Sequence, residues 1–133
     1  MRAWLNSNEF FGSLPEALRI GIKQVTKLSD NGYYDYHDGD DPELTATEDH
    51  IFVLSAEELN LPGRSSYTME GQGTVYKLFS DNTSRALGTT YWTRSTGGKS
   101  SNVNLYLTVL PNGGNIRKGT NDASINVVIC FCI

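Results

Sequence analysis

The chain is short of the groups that most often carry chemistry. Its 133 residues include two cysteines, two histidines, two methionines and four prolines. Cys130 and Cys132 stand two apart near the C-terminal end. Residues two apart on a strand face the same way, so a bridge between them would be strained. A metal site needs more ligands than these, and neither His37 nor His50 sits at a telling spacing. The thiols are therefore read as free, packed as small hydrophobes in a core strand, with no metal and no cofactor expected. With two histidines available, no Ser-His-Asp set is suggested either.

Positive charge is also scarce: 11 Lys and Arg stand against 15 Asp and Glu, a net charge of −4. Nucleic acid is a poor partner for such a surface. Long apolar runs are missing as well. The longest, Val127–Ile133, falls far short of the ~20 residues a membrane helix needs, so no membrane insertion is expected. The first residues, Met1-Arg2-Ala3-Trp4-Leu5-Asn6, lack the apolar stretch of a signal peptide. Because they already lie inside a helical pattern, the sequence reads as the C-terminal fragment of a longer protein.

What remains has the composition of a single globular domain over residues 1–133, with 38% hydrophobic and 20% charged residues. Trp4, Leu5, Phe10 and Phe11 are spaced for one face of a short helix. Ser13, Pro15 and Glu16 read as the start of a second, with Ser13 as N-cap and Leu14, Leu18, Ile20 and Ile22 following. Residues 24–28 read as a strand, and Ile51–Leu54 as a short buried one. Ser55 followed by Glu58 reads as a capping box, which is preferred to an acid–base pair at Glu57 and Glu58. Tyr76, Leu78 and Phe79 look like core. The acidic residues 38–43 read as a solvated loop rather than a calcium loop, because they lack the alternating ligand spacing of an EF-hand. Tyr33, Tyr34 and Tyr36 beside them read as folding over the edge of the core. The Gly71-x-Gly73 step lacks the third glycine of a nucleotide site.

The last third divides into a rigid Tyr91-Trp92-Thr93-Arg94-Ser95 block, a polar stretch rich in Asn, Ser, Thr and Gly, and the apolar closing segment Val127–Ile133. Residues 102–109 alternate, with Val103, Leu105, Leu107 and Val109 on one face and Asn102, Asn104, Tyr106 and Thr108 on the other. Pro111-Asn112-Gly113-Gly114 reads as a hairpin turn. The layout predicts an α+β domain: two N-terminal helices, then a small antiparallel sheet with long loops.

Five stretches, in order, carry a resemblance: Arg2-Ala3-Trp4-Leu5-Asn6 with Phe10-Phe11; Thr47–Ser55; Glu70-Gly71-Gln72-Gly73; Tyr91–Ser95; and the closing Phe131-Cys132-Ile133. Together they resemble a domain family of unknown function from bacterial and prophage proteins. Its members commonly read R-x-W-L-N, D-x-[IF]-F-x-L-S and W-W-L-R-S-P, and they close on an apolar strand. Thr93, Thr96 and Cys130 depart from that pattern, where Leu, Pro and Gly are usual.

Some members resemble the variable proteins of diversity-generating retroelements, which display a C-type-lectin-like fold. The resemblance implies a hypervariable binding face over residues 91–126, on a phage-tail or bacterial-surface adhesin that grips a protein or glycan receptor. It also implies a possible trimer in the parent assembly. One internal check is available, because adenine rewriting of Asn codons cannot yield Glu, Gln, Lys, Met or Trp. After Gln72 the chain contains no Glu, Gln or Met, and Trp92, in the fixed block, is its sole Trp there; Lys99 and Lys118 cannot come from such codons and stand outside the variable set.

The expected contact residues are Tyr91, Thr93, Ser95, Asn102, Asn104, Tyr106, Asn115, Arg117, Thr120, Asn121, Asp122, Ser124 and Asn126. Trp4, Trp92 and Arg94 are assigned to the frame, with Trp92 buried and Arg94 bound to backbone carbonyls. The alternative for Arg94 is a direct grip on a ligand carboxylate. Two other readings of the domain stand beside this one. One is a carbohydrate-binding lectin-like module, although the E-P-N and W-N-D motifs of calcium-dependent lectins are absent. The other is a relative of formylglycine-generating oxidoreductases, against which stands the apolar setting of Cys130 and Cys132.

Overall fold

The computed structural model describes residues 1–30, 44–62, 75–100 and 103–133, with backbone alone at 30, 98–100, 103 and 104. Three short helices, α1 (Arg2–Leu5), α2 (Glu16–Gly21) and α3 (Asn82–Arg85), accompany six strands. The strands are β1 (Val25–Asp30), β2 (Leu44–Asp49), β3 (Tyr91–Ser100), β4 (Val103–Val109), β5 (Asn115–Gly119) and β6 (Asn126–Val127). β1 and β2 form an antiparallel pair, and the remaining strands form a sheet in the order β5-β4-β3-β6. The domain is α+β as expected, but its larger sheet is mixed, because β6 runs parallel to β3.

The N-terminal expectations hold in outline and fail in detail. A 3-10 turn at Phe11–Ser13 separates α1 from α2. Ser13 belongs to that turn, where its hydroxyl donates to Phe10 O at 2.7 Å, so Pro15 and not Ser13 stands at the α2 N-cap. Ile22 is buried, but Ile20 is 79% exposed. Trp4, assigned to the frame, is 51% exposed and packs only its ring against Phe10, with centroids 4.7 Å apart. Ile51, Phe52 and Leu54 are buried and Val53 partly so, but the segment contributes a single bridge, Phe52 to Cys130, instead of a strand.

One core cluster gathers Phe52, Leu54, Ala56, Leu59 and Leu61 under Tyr91, Leu107 and Val109 of the sheet. Full burial of each large aliphatic side chain contributes about 1.5–3 kcal/mol. Tyr76 and Phe79 pack against this cluster, whereas Leu78, expected in the core, is 72% exposed. A smaller cluster joins Leu5, Ile22 and Ile51. The closing segment returns to the chain's beginning: Cys130 bridges Phe52 and Cys132 bridges Lys23. Both cysteines are free and half-buried against the main cluster. The other side of this segment leaves Val127, Ile129, Phe131 and Ile133 exposed.

The β4–β5 turn forms where Pro111–Gly114 predicted it. Val109 pairs with Asn115, and Leu110 N donates to Gly114 O at 2.8 Å. Gly113 has φ +80°, and a Cβ there would sit 1.7 Å from Asn82 O. No other residue type fits this contact between the turn and α3 without moving one of them. No helix among the described residues is long and apolar enough to cross a membrane.

Candidate functional site

A cavity of about 480 Å³ lies between α1 and the mixed sheet. Met1, Leu5, Ile51 and Val53 give it an apolar wall. The sheet contributes Trp92 from β3 and Tyr106 from β4, whose rings meet edge to face with centroids 6.4 Å apart. Arg2, Asp49, Arg94 and Thr120 supply polar groups. An apolar concavity with an aromatic pair and a few fixed polar groups is the usual form of a small-ligand site.

Three of those polar groups are held by the frame. Asp49 is 2% exposed, and its Oδ2 accepts from Arg2 Nε at 3.1 Å and from Thr47 Oγ1 at 2.8 Å. Asp49 Oδ1 also lies 2.8 Å from Arg2 Nε, but the N–H is directed at Oδ2 and leaves Oδ1 without a hydrogen bond. One turn along, Asn6 Oδ1 accepts from His50 N at 2.7 Å and Ile51 N at 3.0 Å, while its Nδ2 donates to Ile51 O at 2.8 Å. Arg2 and Asn6 thus stitch α1 to the end of β2 and set the cavity's outer wall.

Arg94 ties the inner wall to a buried ion cluster. Its Nε donates to Leu28 O at 3.1 Å, and its Nη1 donates to Val53 O at 3.0 Å and to Glu58 Oε2 at 2.5 Å. Glu58 Oε1 accepts from Lys27 Nζ at 2.6 Å, and Ser55 N donates to Oε2 at 2.9 Å. Ser55 Oγ in turn accepts from Glu58 N at 3.0 Å, so the capping box read from the sequence is present on a turn. Lys27 also donates to Tyr76 Oη at 3.0 Å and lies 3.8 Å from the Phe52 ring centroid. The side chains of Lys27, Glu58 and Arg94 are 8%, 5% and 12% exposed.

Burial works against both ionised forms, but the pairing outweighs it. Hydrogen bonds to Arg94 and Lys27 hold the Glu58 carboxyl below its ordinary range, and those to Glu58 and Tyr76 hold Lys27 above its own. The capping box was legible in the sequence. The ion cluster was not, because its members are 31 and 36 residues apart.

Tyr91, Thr93 and Ser95 are corrections to the expected contact set, being only 3%, 3% and 0% exposed. Tyr91 donates its hydroxyl to Arg85 O at 2.9 Å, and burial pushes its ionisation up to about 12. Thr93 Oγ1 donates to Leu107 O at 2.7 Å, and Ser95 Oγ accepts from Ala56 N at 2.7 Å. They belong to the frame because β3 is an inner strand of the sheet. Trp92, expected beneath the loops, is half-buried at the cavity.

The remaining expected contacts divide between the two sides of the sheet. Residues directly opposite on neighbouring strands share a face. Thr96, Tyr106 and Lys118 therefore lie on one face, and Leu107 with Arg117 and Val109 with Asn115 on the other. Arg117 packs its stem over Gly97 and donates to Gly97 O at 3.3 Å, and Asn115 donates to Pro62 O at 3.0 Å. Thr108, expected on an exposed polar face, is fully buried and donates to Ile116 O at 3.0 Å.

Thr120 lines the cavity, and exposed Asn121 follows it. Asp122 accepts from Ser124 N and Oγ in the turn before β6. Asn126 sits at the far edge, donating to Thr89 Oγ1 at 2.6 Å. Of the expected contacts, Thr93, Tyr106 and Thr120 line the cavity, Thr93 as a buried part of its wall. Asn102 and the side chain of Asn104 lie outside the described residues, as do His37, the tyrosines at 33, 34 and 36, residues 38–43 and the Gly71-x-Gly73 step.

Arg85 is a functional-looking residue with a structural task. It is 3% exposed, and it donates to Gly113 O at 3.2 Å, Leu59 O at 3.2 Å, Asn60 O at 3.1 Å and Phe79 O at 3.3 Å, and to Asn82 Oδ1. One planar fork thereby ties together three loops. Among the described residues, no group of three His, Cys, Asp or Glu side chains is placed to hold a metal ion.

Residues 1–133, the whole chain, match the domain of unknown function DUF6273. The protein belongs to the DUF6273 family. No curated protein and no solved structure matches the chain. In this DUF6273 domain His50 stacks on Phe11, with ring centroids 4.5 Å apart, and does not line the cavity. Burial pushes the Cys130 thiol up, away from the reactive thiolate.

Proposed function

We propose that the domain binds a ligand in the cavity between α1 and the mixed sheet, as the recognition module of a surface adhesin. The observation that carries this reading is the pairing of Trp92 and Tyr106 over an apolar wall, in a concavity large enough for a small molecule or one residue of a larger partner. Aromatic rings give broad contact at low entropic cost, and Thr120 and Arg2 at the same cavity supply polar contacts. The reading is one of binding without catalysis. We assign this α+β arrangement of short N-terminal helices and small sheets to a C-type-lectin-like fold as part of the same proposal.

Display on a phage tail or bacterial surface, in several copies, would raise a modest single-site affinity by avidity. Variation of the retroelement kind is proposed for the exposed residues Thr120, Asn121 and Ser124, of which Thr120 lines the cavity. A near-copy of the 3′ end of the gene, carrying adenines at those codons and lying beside a reverse transcriptase gene, would support it. Its absence would remove the variable-face part of the proposal.

The binding reading is tested by titrating a fragment library into the isotopically labelled protein. Hits are expected to shift the Trp92 indole N–H and the amides of Tyr106 and Thr120, and to be lost in Tyr106→Ala. Asn112→Ala, in the turn on the far side of β4, serves as control. Hits that map elsewhere, or that survive Tyr106→Ala, would overturn the assignment.

A further inference from the structure

We infer that the cavity selects a ligand bearing a carboxylate beside an apolar or ring-shaped surface, with Arg94 as the anchoring cation. The inference rests on the cavity being the binding site and adds the class of ligand. The first observation is charge. Two cations, Arg2 and Arg94, line the cavity against one acid, Asp49. Behind them Lys27 and Arg94 share the single carboxylate of Glu58. Among the described residues of this group three cations meet two carboxylates, and Lys27, Arg94 and Glu58 are buried, where water screens a charge poorly. An excess positive charge next to an apolar concavity favours an anion entering it.

The second observation is the unused part of the Arg94 fork. Nε and Nη1 are both committed, to Leu28 O, Val53 O and Glu58. Among the described residues Nη2 has no hydrogen-bond partner, although the side chain is only 12% exposed and lines the cavity. A guanidinium fixed on two sides keeps its remaining N–H groups in a set direction, so an incoming carboxylate need not order the side chain. Charge-assisted bonds of this type are about twice as strong as neutral ones.

The third observation is what surrounds the anchor. Trp92 and Tyr106 offer ring faces and edges, and Leu5, Ile51 and Val53 offer no polar partner. The cavity therefore fits an acid carried on a body with apolar surface, and not a small hydrated anion such as inorganic phosphate.

The test compares acids with their neutral counterparts on the whole chain, by NMR titration read at Trp92 and Tyr106. One pair is N-acetyl-phenylalanine and its amide, and the other is glucuronate and glucose. At least one acid is expected to bind about tenfold or more tighter than its neutral partner, with the advantage shrinking in high salt. The pair that shows it separates a peptide-like carboxylate from an acidic sugar.

Arg94→Lys should abolish the preference, but this variant disturbs Glu58. Lys27→Met provides a second route: Lys27 does not itself line the cavity, and its loss removes the excess charge and should cut the acid-to-neutral ratio severalfold. Equal binding of acid and neutral partner in the cavity would overturn the inference and leave the cavity reading standing. Shifts at neither Trp92 nor Tyr106 with any of the four compounds would overturn both.

Discussion

Replacing Glu58 by Gln removes the one carboxylate shared by Lys27 and Arg94. The glutamine keeps the shape and accepts one hydrogen bond, but two cations are left buried side by side. Breaking a buried pair by deleting one partner costs about 3–5 kcal/mol, and here two charges lose their counter-ion, which places the cost at the upper end. A domain of this size is stable by about 5–15 kcal/mol, so the loss is a large share of the total. With a urea m-value of about 2 kcal/mol/M, a cost of 4 kcal/mol moves the unfolding midpoint down by about 2 M.

Lys27→Met gives the decisive comparison. It leaves Arg94 and Glu58 as a neutral, hydrogen-bonded pair and places an apolar chain against Phe52 and Tyr76, so its cost should stay below about 1.5 kcal/mol. Circular dichroism in urea measures both variants. A Glu58→Gln cost under about 1 kcal/mol, or one equal to that of Lys27→Met, would refute the reasoning from uncompensated charge.

The same cluster sets the pH profile. Glu58 titrates below its ordinary value of 4.5 when folded, so its contribution is present above that pH and is lost as pH falls through the lower folded value. Lys27 titrates above 10.5, so its contribution is present below that pH and is lost as pH rises through the higher folded value. Thermal melts from pH 2 to 12 should show both limbs, and Glu58→Gln should flatten the acid one. Gly113→Ala should cost more than about 2 kcal/mol or prevent folding, because its Cβ meets Asn82 O at 1.7 Å. Gly88→Ala, also at positive φ but with nothing within 4 Å, should cost only about 1–2 kcal/mol in the same urea assay. Iodoacetamide at pH 7.5 should label Cys130 far more slowly in the native protein than in urea, since burial disfavours its thiolate.

Local chemistry was legible in the sequence where a few neighbouring residues decide it. The turn at Pro111–Gly114, the Ser55–Glu58 box and the alternating apolar face at Leu107 and Val109 all follow from spacing, and all are present. The α+β class follows from the same patterns. What the spacing could not convey is which side of a strand faces water. Thr93, Ser95 and Thr108 are small and polar, and composition alone assigns them to a surface. The sheet order places β3 and β4 inside, and each hydroxyl meets a backbone group there. Leu78 and Ile20 err in the opposite direction, as apolar residues that the short α2 and the loop before α3 leave exposed. The cavity was not legible either, because Arg2, Asp49, Trp92 and Tyr106 come from four elements that only the fold assembles.

The stretches that carried the family resemblance acquire a common physical meaning once their contacts are known. Arg2 and Asn6 of the first stretch bind Asp49, His50 and Ile51 of the second. Leu54 and Ser55, closing the second, meet Arg94 of the fourth through Arg94 N to Leu54 O and through Glu58. Cys132 in the closing stretch bridges Lys23, just past α2. The first, second and fourth stretches thus hold one another in this chain, through bonds that substitution at a single member would leave unsatisfied. The cavity sits where the first, second and fourth stretches converge, so most of its walls are made of frame, with Met1, Ser29, Tyr106 and Thr120 added from outside them. On the proposed reading, a frame of this kind fixes the place and charge of the site and leaves the segment before buried Ile125 to set which partner is admitted. Exchanging residues 120–124 between two members of the family should therefore transfer ligand choice without moving the unfolding midpoint by more than about 0.5 M urea, roughly 1 kcal/mol. A large loss of stability on exchange would show that this segment, too, belongs to the frame.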